Sequence, residues 1–211
     1  MFPMPDKEID AVVFDLGNVL IPWDPRKLYM KLFDGDKSAV NQFLSTVCTP
    51  EWNDTLDSDQ TFAQGTTELI GKFPGQEALI RAYDERWEEM IGQPIPENIE
   101  LLKELSRNSW PLYALSNWSA EKFPIAKAKF GFLDLFRDLV ISGEVGFRKP
   151  NPAIFNLLLE TNSLNPSKTV FIDDTRIHIE AAKSLGLITI HYISPLQLRA
   201  EMVRLGILQI E

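Results

Sequence analysis

The sequence predicts an α/β fold: a Rossmann-like parallel sheet with helices on both faces and a helical segment inserted after the first strand. Two observations predict it. Five short apolar runs, at residues 9–14, 111–115, 138–141, 169–172 and 187–190, read as buried strands that alternate with stretches of helical period. Continuous apolar strands, rather than alternating ones, are what a sheet covered on both faces requires. Between Pro25 and Gly92, by contrast, no strand signal stands out, and helical-period segments are divided by Gly, Pro and Asn/Asp clusters.

The first run, Ile9-Asp10-Ala11-Val12-Val13-Phe14, ends in Asp15-Leu16-Gly17-Asn18, a strand entering a tight turn. Pro22 and Pro25 punctuate the chain. Helices are then expected at 26–33, 37–46, 59–73 and 76–91, with Asp36 and Ser58 where a helix would begin. After Pro94-Ile95-Pro96 the alternation resumes: helix 97–107, strand 111–115, helix 120–130, strand 138–141, helix 152–161, strand 169–172, helix 176–185, strand 187–190 and helix 195–205. The implied division is a core of residues 1–22 and 93–211 and a helical bundle of residues 23–92.

A chain of 211 residues is one domain with room for a smaller insertion. At 45% apolar and 24% charged residues, disorder and a fibrous chain are excluded. Thirty acidic residues against 21 basic ones leave a formal charge of −9 and no basic stripe, so nucleic acid is not an expected partner. A small phosphorylated substrate is still compatible, because a local positive cluster or a bound cation reverses the field inside a cleft. The single cysteine, Cys48, cannot form an intrachain disulfide and is expected to be a small buried hydrophobe. No run of about 18 apolar residues suggests a membrane span, and residues 1–10 lack a secretory pattern, so the expected location is cytoplasmic. Monomer and homodimer are both compatible with the sequence.

In a parallel sheet the ligand crevice lies off the carboxyl ends of the strands. The polar residues there are Asp15, Ser116-Asn117 and Asp173-Asp174, with Arg148-Lys149-Pro150 leading into the helix after the third strand. Three carboxylates in one crevice repel one another. A hard divalent cation with few oxygen ligands and room for a phosphate, Mg²⁺, removes that repulsion, and a lysine adds a second positive point. Aspartate is a known covalent nucleophile in phosphoryl transfer. Asp15, alone on its strand, is the candidate, while Asp173 and Asp174 sit together as metal-holding groups do.

Phe14-Asp15-Leu16-Gly17-Asn18-Val19-Leu20, Leu115-Ser116-Asn117, Arg148-Lys149-Pro150 and Val170-Phe171-Ile172-Asp173-Asp174 together resemble the four motifs of the haloacid dehalogenase-like (HAD) hydrolase superfamily. The helical stretch after the first motif looks like that family's C1-type cap, and the Asp-Leu-Gly-Asn opening resembles a subgroup that includes glucose-1-phosphate phosphatases. The resemblance implies a Mg²⁺-dependent phosphatase of small phosphorylated metabolites, sugar phosphates favoured. It implies Asp15 as nucleophile, the Gly17 carbonyl as a metal ligand, and Ser116 with the Asn117 backbone as phosphoryl binders. Lys149 would neutralise charge; Asp174 would bind metal directly, and Asp173 directly or through water.

Two departures stand out. Phosphatases of this family usually carry a second aspartate two residues after the nucleophile, which handles the leaving-group proton; here that residue is Gly17. Three readings follow: a phosphatase with a good leaving group or another proton donor, a metal-independent 2-haloacid dehalogenase, or a weakly active phosphometabolite-binding protein. The acidic pair favours the phosphatase, because adjacent acids in a cleft make little electrostatic sense without a cation. The second departure is His178, four residues after Asp174, which either hydrogen-bonds the acidic pair or sits on the helix surface; His191 is expected to be structural. In the inserted segment Trp23, Asp24, Trp52 and Asn53 are candidates for shaping the pocket, with Asp24 a possible source of the missing proton. Trp52 and, just after Ser116-Asn117, Trp118 are expected to line a sugar-sized site. Arg148 is expected to meet a surface carboxylate, and Arg81 and Arg86 to lie on a solvated helix face.

Overall fold

A computed structural model describes residues 9–58 and 60–209. Asp59, the expected start of a helix, and the first eight residues, read above for a leader, lie outside the described residues. Five strands, β1 (Ala11–Phe14), β2 (Leu112–Ser116), β3 (Asp138–Ile141), β4 (Thr169–Asp173) and β5 (Ile188–His191), form one parallel sheet in the order β3-β2-β1-β4-β5. The helices are α1 (Arg26–Leu32), α2 (Lys37–Thr46), α3 (Pro50–Leu56), α4 (Phe62–Lys72), α5 (Glu77–Glu85), α6 (Pro96–Arg107), α7 (Phe123–Lys129), α8 (Ser142–Val145), α9 (Pro152–Thr161), α10 (Arg176–Ser184) and α11 (Pro195–Arg204).

Both faces of the sheet are covered, as the continuous apolar strands require. Val12, Phe14, Leu112, Ala114, Val170 and Ile172 pack with Ile99 and Leu102 of α6 and Leu198 and Met202 of α11. Their neighbours along the strands, Ala11, Val13, Tyr113, Leu115 and Phe171, pack with Ile154, Phe155 and Leu158 of α9 and Ala182 of α10. Phe155 and Phe171 meet edge to face at 5.4 Å, and a fully buried phenyl of this kind stabilises by about 1.5–3 kcal/mol. The chain runs from β1 outward to β2 and β3, then returns to the opposite side of β1 as β4. The loops after β1 and β4 therefore leave in opposite directions and open a crevice between them.

Helices α1 to α5 all fall between β1 and α6. Their two connections to the sheet run side by side. Trp23 and Ile91 form an antiparallel bridge, Asp24 N donates to Met90 O (3.0 Å), and Gly92 N donates to Pro22 O (2.6 Å). Inside this segment Tyr29 lies 4.7 Å from Phe43, and Trp52 lies 4.9 Å from Tyr83, ring centre to ring centre. Cys48 is buried, as expected.

Several local expectations need correction. Asp36 does cap α2, through Ser38 N and Ala39 N, but Ser58 lies behind α3, its Oγ donating to Asp54 O (3.2 Å), and α4 starts later, with Thr61 and Gln64 in a reciprocal capping box. Helix α3 was not foreseen. It buries only Leu56, so its apolar period is faint; Thr49 as cap and Pro50 in the first turn were its signals. The single helix expected at 76–91 is α5 followed by a 3-10 turn, Trp87–Met90. The one-turn α8, also unforeseen, ends at Gly146, whose φ of 76° suits a residue without Cβ.

Candidate active site

The crevice between β1 and β4 brings the four sequence motifs together. Asp15 follows β1 directly. The turn after it is held by Val19 N on Gly17 O (2.7 Å) and Leu20 N on Leu16 O (2.9 Å). Asn18 takes a left-handed conformation, φ 54°, which asparagine tolerates better than most residues, and its Oδ1 accepts from Trp23 N (3.0 Å). At the end of β4 the Asp173 carbonyl accepts from Tyr192 N, and His191 Nε2 bonds the Asp174 carbonyl at 3.0 Å. His191 thus fixes the backbone of the acidic pair, in keeping with a structural residue.

Lys149 is the centre of the cluster. Its side chain is fully buried, with Nζ 3.0 Å from Asp15 Oδ1 and 2.6 Å from Asp173 Oδ2. Asn117 clasps its backbone, Oδ1 accepting from Lys149 N (2.8 Å) and Nδ2 donating to Lys149 O (3.0 Å). The Asn117 side chain therefore places the lysine, a contact that the sequence did not foretell. Ser116 Oγ donates to Asp15 Oδ1 at 3.0 Å. His178 on α10 sets Nδ1 3.1 Å from both Asp173 oxygens. A carboxylate only accepts, so Nδ1 carries the proton in this contact.

These contacts set the charges. Burial raises the Asp15 carboxyl; Lys149 opposes it, Asp173 and Asp174 reinforce it, and the group settles at about 6. Burial also pushes Asp173 up, but the Lys149 ammonium and His178 outweigh it and hold that carboxyl down at about 2. Asp174 is raised by burial and by Asp173. Burial alone would lower Lys149; the carboxylates of Asp15 and Asp173 overcome it and raise the ammonium above the ordinary lysine range.

A cavity of ≈ 160 Å³ opens on this cluster. From the sheet side it is lined by Asp15, Gly17, Asn18, Asn117, Trp118, Lys149, Asp174, Thr175 and His178; Trp23, Asn53, Asp57 and Trp87 close it from the inserted helices. The indole N–H of Trp118 is buried without a hydrogen-bond partner among the described residues. Trp118, Trp23 and Asn53 therefore reach the cavity as the sequence suggested. Trp52 does not: its indole donates to Gly65 O (3.3 Å) and its ring packs on Tyr83, inside the inserted bundle. Nor does Asp24, which accepts from Arg26 N (2.9 Å) and caps the turn into α1 on an outer groove. Asp57 and Trp87 were missed. Asp57 ends the unforeseen α3, and Trp87 sits in a turn read as helix.

The inserted helices are tied down over the strand ends. Arg148 pairs with Asp54 of α3 at 2.9 Å, as its expected carboxylate contact. Lys122 pairs with Asp84, lies 4.4 Å over the Phe62 ring, and Trp87 meets Trp118 at 5.9 Å. Arg81 pairs with Glu77 on the exposed surface of α5, whereas Arg86, expected on a solvated face, pairs with Glu89 half-buried where α5 gives way to the 3-10 turn.

Oxygens of Asp15, Asp173 and Asp174 all lie within 4.8 Å of one another. Three hard anionic donors, beside a lysine and a backbone carbonyl at Gly17, fit a small divalent cation by donor chemistry. No helix among the described residues is long and apolar enough to cross a membrane.

A crevice with a carboxylate, a buried lysine and an acidic pair at the switch point of a parallel sheet is one in which hydrolase chemistry can be housed. The sequence matches the haloacid dehalogenase-like hydrolase family over residues 9–186, and the chain belongs to that family. It is 30% identical over 199 residues to a phosphoglycolate phosphatase of Vibrio vulnificus, covering 87% of this chain and 83% of that protein. It is 25% identical over 193 residues to a D-ribitol-5-phosphate phosphatase of Bacteroides thetaiotaomicron, covering 86% and 90%. Other relatives are longer; the chain spans 33% of one of them. The crystal structure of a HAD family enzyme from Bacteroides thetaiotaomicron superimposes with a TM-score of 0.71 at 23% identity, covering 87% of this chain and 93% of that one.

Proposed function

We propose that the protein is a Mg²⁺-dependent phosphatase of small phosphorylated metabolites, with sugar phosphates favoured, acting through an aspartyl-phosphate on Asp15. One observation carries this reading. The contacts of Ser116 and Lys149 both fall on Asp15 Oδ1, at 3.0 Å each, which leaves Oδ2 to attack phosphorus. The names of the two phosphatase relatives support the substrate class, and the polyol phosphate of one supports the sugar-like preference.

Asp15, Gly17 and Asp174 line the cavity and would hold the metal, Gly17 through its carbonyl, with Asp173 acting through water because Lys149, Thr175 and His178 already engage it. When bound, Mg²⁺ offsets the charge of the phosphate oxygens. The Asn117 backbone orients those oxygens, and Ser116 Oγ joins it by turning its one proton from Asp15 to the bound phosphate. Lys149 removes the repulsion between the Asp15 carboxylate and the incoming dianion. Asp15 displaces the leaving alcohol in line; water then cleaves the acyl-phosphate and releases inorganic phosphate. Trp118 and the inserted helices keep bulk water from the intermediate.

Phosphate release from an aryl phosphate and a panel of sugar phosphates, with Mg²⁺ and then with chelator, tests the reading. Release that needs Mg²⁺ is expected. No phosphate release, with halide released from a 2-haloacid in chelator, would replace the phosphatase by the dehalogenase.

Metal binding should also appear in stability. The Asp15 carboxyl lies at about 6 against an ordinary 3.8. A raised carboxyl contributes stability below its unfolded value and loses it as pH rises through the folded one. Mg²⁺ takes the ionised forms and opposes that loss. At a hundredfold excess over Kd it is expected to raise Tm by roughly 5–10 °C at pH 8 and by little at pH 5. An equal rise at both values would mean that the ion binds away from this cluster.

A further inference from the structure

We propose that Asp57, on the inserted helices, exchanges the proton that Gly17 cannot: it protonates the leaving oxygen and then deprotonates the attacking water. This rests on the phosphatase reading above and names the residue that completes it.

The position is a built one. Asp57 closes α3 and lines the same cavity as Asp15 and Gly17. Among the described residues lining that cavity, the other acids are Asp15 and Asp174, both committed to the charged cluster, and the imidazole Nδ1 of His178 is committed to Asp173. Asn53 Nδ2 donates to Asp57 Oδ2 at 2.9 Å, and Tyr83 OH donates to Asn53 Oδ1 at 2.8 Å, which fixes the way the amide faces. The Asp57 backbone carbonyl accepts from Ser142 Oγ, at the end of β3, and Ser142 Oγ accepts from Trp118 N at 2.9 Å. The residue is thus held from both sides of the crevice: its carboxyl by Asn53, which Tyr83 of α5 fixes, and its backbone carbonyl by Ser142 beside the sheet.

Its protonation suits the task. Burial pushes the Asp57 carboxyl up to about 7, the charge of Asp54 adds to the rise, and Asn53, Arg148 and the Ser119 backbone pull against it. Tyr83 faces it across Asn53, and Asp15, Lys149 and Asp174 face it across the cavity. Near neutral pH both protonation states are present, the condition for a group that must donate and then accept.

The steps balance. As an Asp15 oxygen bonds to phosphorus and the ester P–O bond breaks, the Asp57 carboxyl gives its proton to the departing alkoxide, which leaves as an alcohol. The Asp57 carboxylate then takes a proton from water as that oxygen bonds to phosphorus. The phosphorus–Asp15 bond breaks, inorganic phosphate leaves, and Asp57 is protonated again.

The test compares Asp57→Asn with the parent enzyme on an alkyl phosphate, glycerol phosphate, and on 4-nitrophenyl phosphate, whose leaving group needs no proton. The expected loss in kcat/KM is about 10²–10⁴-fold for the alkyl ester and less than about threefold for the aryl ester. Phosphate-labelled enzyme should accumulate after acid quench, because the second step slows. In the parent, kcat/KM for the alkyl ester should fall as pH rises above about 7, and this limb should vanish in Asp57→Asn. A Cβ at Gly17 meets nothing within 4 Å, so Gly17→Asp has room; in the Asp57→Asn background it should restore the alkyl ester rate. Equal losses on both esters, no loss on either, or a parent profile without the alkaline limb would overturn the proposal. If Asp57→Asn does not fold, that parent profile decides. A parent inactive on every phosphate would instead remove the phosphatase reading itself.

Discussion

Asp15→Asn is expected to lower phosphate release by more than about 10⁴-fold, the scale seen when a covalent nucleophile is removed. The amide keeps the size of the side chain and an oxygen that can accept from Ser116 and Lys149. It also removes a carboxylate whose ionisation in the buried crevice is unfavourable, as its rise to about 6 shows. The fold should therefore survive, with Tm within a few degrees of the parent. No phosphate-labelled protein should be trapped by acid quench. Undiminished turnover, or labelling that persists, would remove Asp15 from the chemistry.

Lys149→Met is expected to cost both activity and stability. The side chain is fully buried and is the partner of two carboxylates. Methionine has a similar volume but leaves Asp15 and Asp173 facing each other. Breaking a buried pair from one side typically costs about 3–5 kcal/mol. The sign with pH follows from the carboxyls. Without the ammonium, the Asp15 carboxyl, already above its unfolded value, rises further, and the Asp173 carboxyl, still held by His178, rises from about 2. The variant then retains stability in acid and loses it as pH rises through the new Asp15 value. Denaturant melts at pH 5 and pH 8 should show a much larger deficit at pH 8, partly reversed by Mg²⁺. A deficit independent of pH would mean that packing, not charge, makes this lysine necessary.

The strands and the residues at their ends were legible because both depend on short stretches of sequence. Val12-Val13-Phe14 and Val170-Phe171-Ile172 are apolar throughout, and each runs directly into its acid, so strand and site are read in one glance. The helices of the sheet region were legible for a similar reason: α9 and α11 each begin at a proline behind a capping side chain, Asn151 and Ser194. The inserted helices were less so. Helix α3 carries Glu51, Asn53, Asp54 and Thr55, and its purpose lies in contacts with α5 and the end of β3, which no local pattern announces. Trp52 and Asp24 illustrate the same limit. Each is the right kind of residue near the right place, yet one is used to fill the bundle and the other to cap a turn. Asn117 was read for its backbone, whereas its side chain grips Lys149 from a distance of 32 positions along the chain.

The paired connections at Trp23 and Ile91 bear on how such a molecule can change over evolutionary time. Because Pro22 and Gly92 are hydrogen-bonded neighbours at 2.6 Å, everything between them hangs from the sheet as a pendant whose ends touch. Because its ends meet at one place, a segment of another length could be joined there, provided that it replaced the contacts Asp54, Asp57 and Trp87 make at the strand ends. If the pendant also carries a proton-exchanging carboxyl, its replacement is not neutral: a new one arrives with new selectivity but without the acid, unless position 17 supplies one. Selection acting on Gly17 and on Asp57 would then be linked, each free to vary only while the other holds a carboxylate.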